Sequence, residues 1–292
     1  MDLESLPANR ARYEDVFLTG YSKIAEKDAV YRHVSHHFEN SVLGSLQKVF
    51  TPEEQFNMLG VGVGAGKHEI AFMKTLMAFY RKISNTAVEP SSSLLHTYEE
   101  NLQSAGITPQ VDVKYINCTL RQYLDGRGDK EEKFQLISGI HCMYYLGKIE
   151  DSMDQLLSTL TENGILLLQF NSEQSAFAKL RKGLPALYRQ DGPIHVEIDD
   201  VTREAKRRGC DVIKIPLQLT IDVTELFDET SDFGNKILDF FTMTSYFRQT
   251  APKALVEEVL EFWRDNSSRD DSGRFRANAE EYLALPYAGP LL

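Results

Sequence analysis

The sequence predicts an α/β fold built on one open, mostly parallel sheet, with a helical segment ahead of it and a helical insertion near its end. Three observations carry that prediction. Short apolar runs alternate with stretches of helical periodicity from Phe56 to Val223, the rhythm of β-α-β units whose sheet is covered on both faces. Ile165-Leu166-Leu167-Leu168-Gln169-Phe170 is almost wholly apolar, as in a central parallel strand. Finally, an apolar run ends in glycines at every second position, Gly60, Gly62, Gly64 and Gly66. Such a pattern describes a buried strand turning sharply into a helix, with no Cβ atoms to keep a ligand off the backbone.

Between Asn9 and Phe50 the spacing of Tyr13, Phe17 and Tyr21, then Val30, Val34, Phe38, Val42 and Leu46 predicts two or three helices. Phe56 to Val61 is the first strand. After the glycines a helix is expected from about His68 to Ile83, with Ile70, Met73, Leu76, Met77 and Tyr80 on one face. Thr86 to Glu89 reads as a short strand, and Ser91 to Ala105 resumes helix after Pro90. Val111 to Ile116 alternates like a strand, Thr119 to Leu124 reads as a short helix, and Phe134 to Ile140 as a further strand. Ile149 to Leu160 is helical, and Asn163-Gly164 is a turn into Ile165 to Phe170. Asp199 to Arg208 is a helix closed by Gly209, followed by one long strand from Asp211 to Val223. From Thr224 to about Arg274 helices take over, Asn266 to Gly273 is a polar loop, and Ala277 to Tyr287 is expected as a last strand beside Asp211 to Val223.

At 292 residues the chain can hold one well-filled core plus an elaboration. The corresponding division is residues 1–50, 51–223, 224–274 and 275–292. Hydrophobic residues make up 42% and charged residues 26%, an ordinary balance for a globular chain. No apolar run of about 20 residues is present to span a bilayer, and Met1 to Pro7 lacks the basic and apolar segments of an export signal. Cytoplasm is the expected compartment. Cys118, Cys142 and Cys210 are an odd number without metal-ligand spacing, so free thiols and no metal are expected. A net charge of -11 without a dense basic cluster disfavours nucleic acid and anionic membranes as partners, and would suit a small cationic substrate.

The glycine loop is answered by an acid. Glu89 closes the next strand 23 residues after Gly66, close to the spacing of about 20 at which a carboxylate takes a nucleotide cofactor's ribose hydroxyls. Two cofactor classes suit such a loop: a nicotinamide or flavin dinucleotide, and S-adenosylmethionine. A dinucleotide brings its pyrophosphate to the following helix N-terminus. Here Lys67-His68-Glu69 puts an acid in that first turn, which suits a sulfonium better than a pyrophosphate.

Over nearly all of its length the chain resembles the histamine N-methyltransferases. The resemblance is carried by Ala11-Arg12-Tyr13 with Phe17, Ala25-Glu26, Leu59 to Gly66, Val88-Glu89-Pro90-Ser91, Met143-Tyr144-Tyr145, Leu238-Asp239-Phe240 and Thr250-Ala251-Pro252. It implies a Rossmann-like class I methyltransferase sheet. Residues 1–50 would be an N-terminal segment capping the substrate site, 51–223 the methyltransferase core, 224–274 an insertion contributing to that site, and 275–292 the final core strand. The implied methyl donor is S-adenosylmethionine, held by Gly62, Gly64, Gly66, Glu89 and Ile140, with Thr119 and Leu120 on the adenine side. Leu94 and Leu120 depart from the family's glutamine and serine, and Thr119 stands ready as a polar substitute.

For the acceptor, the resemblance implies Glu26 on the amine and Asn278 as the family's C-terminal asparagine. Tyr13, Phe17, Tyr144, Tyr145 and Phe240 would form an aromatic wall able to attract cations. His141, Phe177 and Arg181 replace a glutamine and two tryptophans of the family. His141 and Tyr145 are the candidate catalytic pair, orienting an imidazole, and Phe177 and Arg181 are candidate substrate contacts. An inward Arg181 would clamp a carboxylate, favouring histidine or an imidazole dipeptide over histamine. The expected protein is thus a monomeric N-methyltransferase of histamine or a close analogue. The alternatives are an enzyme for histidine, carnosine or another small amine, a non-catalytic S-adenosylmethionine-binding regulator, and a dinucleotide oxidoreductase.

Overall fold

The computed structural model describes residues 3–24, 26–107, 109–127, 132–188 and 194–288. Ala25 and the last four residues, both named in the expectations above, lie outside them. Described elements run in order from α1 (Arg10–Asp15), α2 (Lys27–His37) and α3 (Leu43–Val49) to β1 (Gln55–Val61), α4 (Lys67–Leu76), β2 (Lys82–Val88), α5 (Ser92–Ala105), β3 (Val111–Ile116) and α6 (Leu120–Gly126). Next come β4 (Phe134–Ile140), α7 (Ile149–Ser158), β5 (Leu160–Asn171), α8 (Ala176–Gly183), α9 (Ile198–Arg207), β6 (Cys210–Leu217) and β7 (Thr220–Asp222). The chain closes with α10 (Asp232–Thr242), α11 (Phe247–Thr250), α12 (Lys253–Asp265), β8 (Ser267–Arg269), β9 (Phe275–Asn278) and β10 (Glu281–Ala288).

These elements form two compact units. One comprises Tyr31–Phe170, Val196–Ile215 and Tyr282–Leu292; the other comprises Met1–Val30, Asn171–His195 and Pro216–Glu281. The first is the sheet unit. Its seven strands lie in the order β3-β2-β1-β4-β5-β10-β6, and the four successive pairs from β3 to β5 are parallel. The apolar runs explain this: Met58, Leu59, Leu136, Ile137, Leu166, Leu167 and Leu168 are each 0% exposed, and strands buried on both faces need helices on both sides. Strand order reverses between β1 and β4, the switch point at whose C-terminal edge open α/β sheets bind ligands.

The second unit is helix-rich and carries a three-stranded sheet, β7-β9-β8, with antiparallel pairing. Trp263, Val259, Leu238, Phe247 and Ala277 form its core at 0% exposure. Full burial of a side chain such as Val259, Leu238 or Phe247 contributes about 1.5–3 kcal/mol of apolar transfer. Asp239 organises the α10–α11 connection. One carboxylate oxygen accepts the Phe247 N–H at 2.8 Å, and the other accepts the Tyr246 N–H at 2.9 Å and pairs with Arg12 at 2.8 Å.

Four boundaries correct the expectations. The helix expected to reach Ile83 stops at Leu76, and Ile83 is buried in β2. Pairing along the whole of β1, from Gln55 with Lys82 to Val61 with Val88, claims the segment for the sheet. Leu160, expected to end a helix, instead begins β5, which runs through Asn163 and Gly164 without interruption, Asn163 taking a φ of 62°. The expected strand from Asp211 to Val223 is two strands in two sheets, β6 and β7, and the last expected strand divides likewise into β9 and β10. Within the expected polar loop, Ser267 to Arg269 forms β8 against β9. Among the described residues no helix is long and apolar enough to cross a membrane.

Candidate functional site

In the sheet unit the glycine loop leaves β1 at the switch point. Gly62, Gly64 and Gly66 have φ of 62°, 52° and 73°, the left-handed region that only glycine adopts at little cost. Space is as restrictive as the dihedrals. A Cβ on Gly62 would stand 2.7 Å from Cys142 Cβ, and one on Gly66 would overlap the Tyr98 ring. Gly62 N–H donates to Val88 O at 2.8 Å, which ties the loop to the end of β2.

Glu89 stands one residue past β2 and is 8% exposed. Its carboxylate accepts the Gly64 N–H at 3.0 Å and the Ser91 N–H at 2.9 Å. Asn117 donates to the carbonyls of Glu89 and Pro90 at 3.1 and 2.8 Å. The acid is thereby fixed against the glycine loop. A carboxylate held in this way is a hydrogen-bond acceptor, the chemistry that takes the vicinal hydroxyls of a ribose. Fixed acid and left-handed glycines together fit a nucleoside-bearing donor.

Of the residues expected on the adenine side, Thr119 caps α6. Its hydroxyl accepts the Gln122 N–H at 3.3 Å and meets Gln122 Oε1 at 3.1 Å, in a capping box. Leu120 and Leu94 are buried, at 4% and 3% exposure, and Ile140 is half-buried at the end of β4. His141 follows with a φ of 54°, its N–H donating to Gln169 O at 2.8 Å. A non-glycine residue in that region is uncommon and concentrates at functional sites. Its ring lies 6.4 Å from that of Tyr144 at 27°, and Tyr144 meets Tyr145 edge-on at 6.3 Å. Tyr145 is exposed and Tyr144 is buried.

Glu69 departs from its expected part. Rather than presenting charge at the N-terminus of α4, it is 3% exposed and accepts the Ser138 hydroxyl at 2.9 Å. Burial pushes its carboxyl up to about 7, despite hydrogen bonds that favour the ionised form; the charge of Glu89 adds to the rise. Near neutral pH it is partly protonated, so the charge argument against a pyrophosphate weakens.

The remaining candidates belong to the helix-rich unit. Tyr13 stacks on Phe17 at 6.2 Å, Phe17 meets Tyr21 at 6.1 Å, and Tyr21 stacks on Phe240 at 3.9 Å. Lys27 Nζ lies 4.3 Å above the Tyr21 ring and 3.7 Å from Glu281. Glu26 accepts a hydrogen bond from Arg276, whose Nε also reaches Asp270 at 3.2 Å. Asn278 on β9 accepts the Glu280 N–H at 2.8 Å. Phe177 packs edge-on against Phe241 at 4.8 Å and Trp263 at 5.7 Å, and Arg181 is half-buried in the last turn of α8.

The sheet unit thus brings together Gly62, Gly64, Gly66 and Glu89, and separately His141, Tyr144 and Tyr145. The helix-rich unit joins Tyr13, Phe17 and Phe240, with Glu26 on an arginine and Phe177 in an aromatic core cluster. Sequence reasoning missed Tyr21 as the link in the aromatic row, and Arg276 as the partner of Glu26. Tyr21 continues the Tyr13 and Phe17 spacing and was legible; Arg276 is 250 residues from Glu26, and nothing local marks it. Among the described residues no group of three or more His, Cys, Asp or Glu side chains is placed to hold a metal ion.

No family model matches the chain. Among curated proteins it is 27% identical to the histamine N-methyltransferase of Danio rerio over 286 residues, covering 92% of this chain and 95% of that protein. It is 24% identical to that of Bos taurus, over 88% and 89% of the two chains. It is also 25% identical to carnosine N-methyltransferase 2 of Gallus gallus, over 80% and 77%. Among solved structures, the YcgJ protein from Bacillus subtilis superposes with a TM-score of 0.56 at 12% identity, covering 87% of this chain and 99% of that one. A Bacillus halodurans protein assigned as a methyltransferase gives 0.55 at 15%, covering 86% and 100%. These structures share the fold. The chain thus has the fold of those structures and resembles the histamine N-methyltransferases along nearly its whole length.

Proposed function

We propose that this protein transfers a methyl group from S-adenosylmethionine to an imidazole nitrogen of histamine or a close analogue. The observation that carries the reading is Glu89 clamped to Gly64 and Ser91 beside three left-handed glycines, in a chain similar to histamine N-methyltransferases over 92% of its length. Bound S-adenosylmethionine would supply a methyl carbon on a sulfonium, which an imidazole lone pair attacks in line as the carbon–sulfur bond breaks. The protein's part is positioning, which supplies much of such a rate. Gly62, Gly64 and Gly66 admit the donor's backbone-side face, Glu89 takes its ribose, and Ile140, Leu120 and Thr119 border the adenine. His141 and Tyr145 orient the acceptor's imidazole or accept its N–H, and the resemblance assigns Glu26 to an amine. The nucleophilic nitrogen carries no proton, and the proton on the product's other nitrogen leaves afterwards, so no strong base is required.

A second reading, a carboxylate-bearing acceptor such as histidine or carnosine, is favoured by one contact. Glu26 already carries Arg276, so an acceptor with both an ammonium and a carboxylate satisfies both side chains, whereas histamine satisfies one. The similarity to a carnosine N-methyltransferase agrees with it. The test is turnover with S-adenosylmethionine on a panel of histamine, histidine, carnosine and simple amines, with product mass detection. Methylation of none of them, with donor binding intact, would leave the regulatory alternative.

A further inference from the structure

Glu69 sits in the first turn of α4, three residues after Gly66, and its side chain runs back beneath the end of β1. A Cβ on Gly60 would stand 2.4 Å from Val63 Cγ1 and 3.1 Å from Glu69 Cγ; the bare backbone at residue 60 leaves room for Val63 and lets the acid pack close beside it. Across the switch point, Ser138 of β4 donates to Glu69 Oε1 at 2.9 Å. One carboxyl therefore touches β1, α4 and β4, the elements that frame the Gly62 to Gly66 loop. Nothing in the proposed transfer chemistry uses it.

The groups facing Glu69 are Ser138, Glu89, Cys142 and Tyr98, of which the last three interact with it electrostatically. Burial pushes the Cys142 thiol and the Tyr98 hydroxyl up, so neither ionises near neutral pH. The ring of neighbouring His68 packs with Tyr31 at 5.4 Å and Phe72 at 6.2 Å. Glu69 itself, pushed up to about 7, is the buried acid poised to titrate there. Since it senses the charge of Glu89, it will sense a cation bound at the loop that Glu89 closes.

We propose that Glu69 is a positioning residue that couples the donor loop to a proton, so that the loop holds the sulfonium donor in preference to the neutral thioether product. The proposal rests on the S-adenosylmethionine reading. A nearby cation favours the ionised carboxylate, and by linkage the ionised carboxylate favours the cation. Donor binding ionises Glu69 and its proton passes to the buffer. Methyl transfer removes the sulfonium charge, the carboxylate loses its counter-ion, and it regains a proton from solvent as the product leaves.

The experiment is calorimetric titration of the protein with S-adenosylmethionine and with S-adenosylhomocysteine at pH 6, 7 and 8, in buffers of different ionisation enthalpy. Donor affinity is expected to rise about threefold to tenfold from pH 6 to 8, the range set by a shift of up to about one pKa unit, with net proton release near pH 7. Product affinity should change less. In Glu69→Gln the pH dependence and proton release should vanish while donor binding remains; Glu69→Asp should restore part of them, and His68→Gln should leave them unchanged. Equal pH slopes for donor and product, or a slope that survives in Glu69→Gln, would overturn the proposal. The wild-type proton count needs no variant to fold: donor binding without proton release overturns it too. Absence of donor binding at every pH overturns this proposal together with the donor reading, whereas a flat profile with tight binding overturns this one alone.

Discussion

The guanidinium of Arg276 donates to the carboxylate of Glu26, two residues before Asn278 on the same strand. An amine reaching Glu26 must therefore share or displace an arginine that Asp270 also holds. Charge-assisted bonds of this kind are worth about 1.5–3 kcal/mol, enough to decide between acceptors. Arg276→Gln should lower KM for histamine and raise it for carboxylate-bearing acceptors, shifting their ratio by about tenfold or more. Glu26→Gln should raise KM for every amine while donor affinity stays constant. Steady-state kinetics on the acceptor panel, with donor binding by calorimetry, measures both. Unchanged acceptor kinetics in both variants would remove this pair from acceptor binding.

Gly62 and Gly106 offer a controlled comparison. Both have left-handed backbones, with φ of 62° and 71°, but a Cβ on Gly106 meets nothing within 4 Å, while one on Gly62 meets Cys142 Cβ at 2.7 Å. Gly106→Ala should cost only the conformational penalty, about 1–2 kcal/mol. Gly62→Ala adds a steric overlap with a buried side chain, about 1–3 kcal/mol more, and should abolish donor binding. Urea unfolding with donor titration of both variants checks this; equal losses would mean that the loop yields more readily than its packing implies.

His141 tests whether backbone strain serves function. Its φ of 54° at the end of β4 costs a non-glycine residue about 1–3 kcal/mol. His141→Gly removes that strain along with the imidazole, so stability should change by no more than about 1 kcal/mol. Turnover should fall at least about tenfold if the ring orients the acceptor. A large loss of stability with normal turnover would make His141 a packing residue.

What the sequence disclosed and what it withheld follow from the range of the interactions. The strand at Phe134 to Ile140, the helix after Ser91 and the glycine loop rest on local chemistry, and each was legible. The break shared by the two late strands was not. Apolar residues alternate from Ile213 through Ile215, Leu217 and Leu219 to Ile221, and Pro216, the one breaker in the run, lies inside β6 rather than at the break. Yet β6 lies in the seven-stranded sheet and β7 in the three-stranded one. Opposite that break, Ala279 N–H donates to Leu219 O at 2.8 Å and Gln218 bonds Glu280, a pairing over 60 residues that no local pattern encodes. In the site, Glu69 was visible as an acid in a first turn, but its burial and its bond to Ser138, 69 residues away, are made by tertiary packing.

Glu69 also makes a prediction about folding that requires no ligand. In the folded protein its carboxyl is pushed from an ordinary value of 4.5 up to about 7, chiefly by burial. Between those values the native state binds more protons than the unfolded chain, so stability falls as pH rises across this window. The contribution is fully present below 4.5 and is lost as pH climbs through 7. The loss amounts to roughly 3 kcal/mol if the whole shift is realised. Glu69→Gln keeps the shape without the ionisation and should remove that component, leaving the variant less sensitive to pH between 5 and 8 and more stable than wild type at pH 8. Urea unfolding of both proteins at pH 5, 6, 7 and 8 measures the difference; parallel curves would show that Glu69 does not titrate in this range.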